Sequence, residues 1–99
     1  MVRAVEYVYA ADILDALYAH GLQPTAATPP GVVRDALSDL YRYEIRRLRR
    51  TLLEGRILKA DYSDHVIALR KRYWLLSLPV QHWATTNPPI TKSANHETP

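Results

Sequence analysis

Three observations predict an all-α domain of three helices, with a long second helix and a tight antiparallel hairpin to the third. Apolar residues recur at steps of three and four through three separate segments. Gly21 and Gly55 stand where two of those segments stop, as residues that end helices do. Only a few residues separate the second pattern from the third, so the two helices must fold back on each other.

The first helix is expected over about residues 4–20. Ala10, Ile13, Leu14, Leu17 and Tyr18 recur at helical spacing, and Asp12 and Asp15 fall on the other side. Gly21 is its stop, and Pro24 follows as the chain leaves. The opening VRAVEYVY is rich in β-branched and aromatic residues and suits a strand. No second strand candidate is evident, so this opening is read as helix or a frayed lead-in.

Thr28 reads as the N-cap of the second helix, with Pro29 at its first position, where a missing N–H costs nothing. The helix is expected over residues 29–54, on a stripe of Val33, Leu37, Tyr41, Ile45, Leu48 and Leu52. The third should begin near Lys59–Asp61 and run to about Leu76 on Tyr62, Val66, Leu69, Tyr73 and Leu76. Pro79 breaks that pattern, and Val80 and Trp83 are read as a short cap packed back on it. Residues 1–83 then form one helical domain. The polar, proline-bearing residues 84–99 are expected to be a disordered tail.

A chain of 99 residues makes one domain, and one this short buries roughly 60–65% of its unfolded surface. There is no cysteine, which excludes disulfides, thiolate catalysis and cysteine-ligated metals. The fold needs no oxidising compartment, which favours the cytoplasm. No apolar run approaches the roughly 20 residues of a membrane span, and acidic Glu6 and Asp12 make the start a poor signal peptide.

The net charge of +3 conceals a strong segregation. Residues 1–41 carry two basic and five acidic side chains, whereas residues 42–72 carry ten basic and four acidic. The acidic first part and the basic middle can answer each other within one molecule or between subunits. The densest charge is RYEIRRLRR, with Arg42, Arg46, Arg47, Arg49 and Arg50 on an otherwise well-formed amphipathic helix. Like charges at i, i+4 cost a few tenths of a kcal/mol per pair, so this face is either used or covered by acids. Arg70, Lys71 and Arg72 extend the basic character into the last turns of the third helix, where they also suit the helix dipole.

Within residues 49–70, Leu52, Gly55, Ile57, Asp61, Tyr62 and Leu69 fall in one register: leucines, Gly-x-Ile, an acid followed by an aromatic, then a leucine-ended helix. This stretch resembles the SHOCT hairpin, a short helical module often found at the C-termini of bacterial proteins. Two positions depart from that pattern. Leu58 stands where the family usually has Thr or Ser, and Val66 where it usually has lysine. The resemblance implies oligomerisation or partner contact, without chemistry of its own.

Catalytic constellations are lacking. Ser63, Asp64 and His65 are consecutive, and neighbours on a helix point apart, so they form no triad. Asp61 and His65 are the one pair at metal-ligand spacing on a predicted helix. They need more ligands than His20 and His82 readily supply, and a surface ion pair is the simpler reading. No glycine-rich phosphate loop is present. A DNA-reading helix-turn-helix does not fit either: the second helix is too long, and the third opens with acids that repel phosphate. The expectation is therefore a non-enzymatic, cytoplasmic protein with no cofactor and no metal. It acts by contact with another protein or with itself, away from any membrane, through Arg42, Arg46, Arg49, Arg50, Arg70, Lys71, Arg72, Tyr73, Trp74 and Trp83. The alternative is a nucleic-acid-binding regulator that lays the same basic face on phosphates and stacks Tyr43, Tyr73 and Trp74 on bases.

Overall fold

The computed structural model describes residues 5–87. The chain runs through strand β1 (Glu6–Tyr9), helix α1 (Ala11–Ala19), helix α2 (Pro30–Leu53) and helix α3 (Lys59–Arg72). Two 3-10 turns follow, at Trp74–Ser77 and Val80–His82, and then strand β2 (Ala84–Asn87). All three helices are present, but the first begins at Ala11 and not near residue 4. The strands depart from the sequence reading.

Residues 6–9 are neither helix nor frayed lead-in, and residues 84–87 are not tail. They pair antiparallel, Tyr7 opposite Thr86 and Tyr9 opposite Ala84. Alternation then sets the faces: Tyr7, Tyr9, Ala84 and Thr86 turn inward, while Glu6, Val8, Thr85 and Asn87 are exposed. The free edge of β1 is held as well. The Tyr7 N–H donates to the Ala26 carbonyl at 2.8 Å, and the Tyr9 hydroxyl donates to the Thr28 carbonyl at 2.5 Å. A lone two-stranded ribbon is marginal in water, and this one persists because its inner side chains join the core. The remainder of the expected tail, residues 88–99, lies outside the described residues.

Both glycine stops close as Schellman motifs. After α1, Leu22 N–H donates to Leu17 C=O and Gly21 N–H to Tyr18 C=O; after α2, Arg56 donates to Thr51 and Gly55 to Leu52. Gly21 and Gly55 carry φ of 78° and 74°, which only glycine adopts without strain. At the start of α2 the cap differs from expectation. Pro30 disfavours helical backbone in the residue before it, so Pro29 is extended and Pro30 takes the first helical position. The Thr28 hydroxyl instead accepts from the Thr25 N–H at 3.0 Å.

The third helix is also shorter than expected. It ends at Arg72, and Tyr73 departs from helical backbone at φ −100°, ψ 35°. Residues two apart on a helix point away from each other, yet Tyr73 and Leu75 are both buried. The break after Arg72 and the tighter turn that follows let both face the core.

That core gathers at one end of the long helix. Tyr9, Ile13, Leu17, Val33, Leu37, Leu69, Tyr73, Leu75 and Trp83 form one buried cluster. Trp83 is its largest wholly buried side chain. It is the centre of the closed end and not a cap on it. Its indole N–H finds no hydrogen-bond partner among the described residues, a cost of about 1–3 kcal/mol that the packing must exceed.

Trp83→Ala should cost about 3–5 kcal/mol, enough to unfold most of a marginally stable domain of this size. A chain ending at His82 should lack both Trp83 and β2 and show no cooperative thermal transition by circular dichroism. A chain ending at Asn87 keeps both and should show one. Equal melting of both truncated chains would show that the strand pair contributes nothing to the closed end.

Candidate interaction surfaces on the helical arm

From Ser38 to Ala68 no residue is buried. This stretch is a two-helix arm leaving the core, with α2 and α3 antiparallel. Tyr41 lies against Tyr73 and Glu44 against Arg72, so the partner number falls as α2 advances. The seam holds Tyr41, Ile45, Leu48, Leu52, Ile57, Tyr62 and Val66, each half-buried. Two helices alone cover only one side of each other, and among the described residues no third layer closes the arm.

The base of the arm is fixed by Tyr73. Its ring lies 4.3 Å from that of His20 and 5.2 Å from that of Tyr41, centroid to centroid. Its hydroxyl donates to Glu44 Oε2 at 2.5 Å, and Glu44 also accepts from Arg72 Nη1 at 3.2 Å. His20 Nε2 donates to the Arg72 carbonyl at 3.0 Å, tying α1 to the end of α3. On the far side, Arg34 Nη2 donates to the Leu76 carbonyl at 3.1 Å. Burial, together with the hydrogen bond from Tyr73 to Glu44 and the charge of Glu44, pushes the Tyr73 hydroxyl up to about 12, against the opposing effect of Arg72.

The ten residues expected to make contacts divide sharply. Tyr73 and Trp83 are buried in the core, Trp83 wholly and Tyr73 apart from its edge at the floor of a groove, which corrects their assignment as exposed contact residues. They bury because Tyr73 closes the seam and Trp83 fills the end that β1 and β2 complete. Arg72 is held by Glu44, and Arg42 by Asp39 at 2.9 Å with Ser38 at 3.2 Å. Arg46, Arg49, Arg50, Arg70 and Lys71 are exposed, and their side chains enter no ion pair or hydrogen bond among the described residues. Trp74 is 42% exposed.

Two of the hollows that these groups line lie beside the exposed cations. Tyr41, Ile67, Tyr73, Trp74 and Leu76 line an apolar groove of about 520 Å³, with Arg70 and Lys71 on its rim. On the outer side of α2, Tyr43, Arg46, Arg47 and Arg50 surround a smaller hollow of about 130 Å³. The groove was not legible beforehand, because Tyr41 and Ile67 come from different helices and only the hairpin register brings them together. The outer hollow follows directly from the i, i+3, i+4 and i+7 spacing of its four residues.

The acids of the first part do not neutralise the arginine face within one molecule. Glu6, Asp12, Asp15 and Asp35 form no ion pair among the described residues, and Asp39 pairs only with Arg42, one turn away. Asp61 and His65 are both exposed and do not bond to each other. Among the described residues, no cluster of three or more His, Asp or Glu is placed to hold a metal ion. No described helix is long and apolar enough to cross a membrane.

Comparison with known proteins adds no relative. No family model matches the chain, and no curated protein and no solved structure is significantly similar to it. The surfaces of the arm must therefore be read from their own chemistry.

The Tyr73 hydroxyl supplies a pH signature. A phenol raised above its ordinary value of 10 favours the folded state while it is protonated. Its contribution is complete below pH 10 and is lost as pH climbs through about 12; buried Tyr9, also raised, acts in the same direction. Tyr73→Phe should lower stability at neutral pH by about 1 kcal/mol and make the alkaline loss shallower. Urea unfolding between pH 7 and the alkaline limit measures both, and an unchanged alkaline limb would remove Tyr73 as its source.

Proposed function

We propose that this protein is a non-enzymatic contact protein whose helical arm is its binding element, engaging a protein surface as an oligomer or as an accessory subunit. The observation that carries this reading is the arm itself. It spans residues 38–68 without one buried residue, yet exposes Tyr43, Leu53, Leu58 and Ile67 beside arginines with no partner. A pair of helices with that much uncovered apolar surface gains stability when a further layer covers it. The likeness of residues 49–70 to an oligomerising hairpin points the same way.

One observation favours a second reading. The side chains of Arg46, Arg49 and Arg50 are free, and Tyr43 stands among the arginines as a flat platform. That combination also suits a phosphate backbone with a stacked base. The protein reading is preferred because the same face carries Asp35 and Asp39, which repel phosphate.

Light-scattering chromatography with the 260/280 nm absorbance ratio separates the two. The expected result is a defined species heavier than the 11.3 kDa chain, with a protein-like ratio. A heterogeneous peak with a raised ratio that collapses in salt would replace this reading with nucleic-acid binding, since release of counterions from several phosphates makes binding fall steeply with salt. Arg46→Glu with Arg49→Glu should weaken association in either case and leave the melting temperature of the dilute monomer unchanged, because neither side chain supports the fold of one chain.

A further inference from the structure

The outer face of α2, turned away from α3, has a pattern that the core does not explain. Starting at Val32, alternating steps of four and three reach Ala36, Asp39, Tyr43, Arg46, Arg50 and Leu53. That spacing keeps all seven on one side of the helix, as in the seam of a paired helix. Most of the stripe is open, with Val32 59% exposed, Tyr43 56% and Leu53 78%; Ala36 alone is half-buried, beside Leu22 and Pro24. Its charges are sorted by sign along the axis, with Asp35 and Asp39 toward the N-terminus and Arg46 and Arg50 toward the C-terminus.

Such a face is complementary to itself when reversed. With a two-fold axis between residues 42 and 43, Val32 meets Leu53, Asp35 meets Arg50 and Asp39 meets Arg46, each from the opposite copy. The two Tyr43 rings meet close to the axis. All of these pairs share one register, so the same alignment satisfies these two charge pairs and the apolar ends together, while Arg42, Arg47 and Arg49 fall opposite Tyr43, Ser38 and Ala36. A parallel alignment would set Arg46 and Arg50 against their own copies and is repulsive.

We propose that two copies of this chain associate through an antiparallel pairing of the α2 outer faces. This rests on the contact reading above and names its partner as a second copy. The strip from Val32 to Leu53 is about 33 Å long at the helical rise, so the interface is at the small end of the stable range. Its pairs are exposed and individually weak, so the dimer should loosen as salt rises and the Debye length shrinks from about 10 Å to about 3 Å. The Asp39–Arg42 contact within one chain is itself an exposed pair and can exchange for Arg46 of the second copy.

Charge reversal tests the register. Asp35→Arg sets two arginines against each other at both symmetry-related positions, and Arg50→Asp sets two aspartates. Sedimentation equilibrium at low salt should show the dissociation constant of each variant raised at least about tenfold. Mixing the two variants should restore a one-to-one dimer, because every reversed residue then faces its complement. Carrying both substitutions on one chain should restore it too. Since the chain has no cysteine, Tyr43→Cys should also crosslink to itself under mild oxidation, whatever the reversals do to folding.

A dimer that survives both single reversals, with no crosslink at position 43, would overturn this pairing and leave the contact reading standing on another surface. A wild-type chain that stays monomeric up to about 1 mM overturns it as well. If Arg50→Asp instead removes co-purified nucleic acid and mixing restores nothing, both this pairing and the contact reading fall together.

Discussion

Trp83 has no exposed surface, and its burial obliges the two ends of the described chain to meet. The indole lies immediately before β2, and its carbonyl accepts from the Ala10 N–H at 3.2 Å, immediately after β1. Placing the ring inside therefore lays residues 84–87 beside residues 6–9. That pairing carries Tyr7 and Tyr9 inward, and Tyr9 in turn holds the linker before α2 through Thr28. A small chain without disulfides has few means of closing itself, and here one large side chain and eight strand residues do so.

The closed end sets the limits of the open one. With Val33 and Leu37 committed to the core, α2 continues for four more turns with only α3 for company. The arm is oriented at its root, where Glu44 joins Arg72 to the Tyr73 hydroxyl and His20 reaches the Arg72 carbonyl. These contacts act as a clamp on the crossing point of the helices and leave their outer sides untouched. The result is a rigid base and a projecting hairpin whose distal surface has no structural duty. Residues there are free to be chosen for solubility or for contact. Like-charged arginines in successive turns disfavour the first explanation, since they raise repulsion for no gain in folding.

The helical part of the fold was legible because its signals are local. Gly21, Gly55 and the apolar stripe of α2 act within a turn or two, and each appears where the sequence places it. The strands were missed for a converse reason. VRAVEYVY carries strand chemistry, but its partner ATTN is polar, short and more than seventy residues away. Only its inward Ala84 and Thr86 matter, and small residues opposite two tyrosines give no periodic signal. Trp83 was misjudged with it: an aromatic near a proline-rich tail looks like a surface anchor until the strand beside it is known. The candidate site was half legible. Arg46, Arg49 and Arg50 have no side-chain partner among the described residues, a point the sequence leaves open, whereas Arg42 and Arg72 are taken by neighbours whose approach depends on rotamer and hairpin register.

Charge segregation is the feature that links the sequence to association. Were the acids of the first part folded against the basic middle, the arrangement would be exhausted inside one molecule. Among the described residues Asp35 has no ion-pair partner, and Asp39 is committed only to an exposed contact one turn away. Because these acids lie on the same helix as the arginines, separated along its axis, no bending of the chain brings Asp35 to Arg50. A straight helix cannot satisfy its own long-range charges; a second helix running the other way can. The polarity of α2 thus converts a segregation written along the sequence into the charge pattern on which the proposed antiparallel pairing rests.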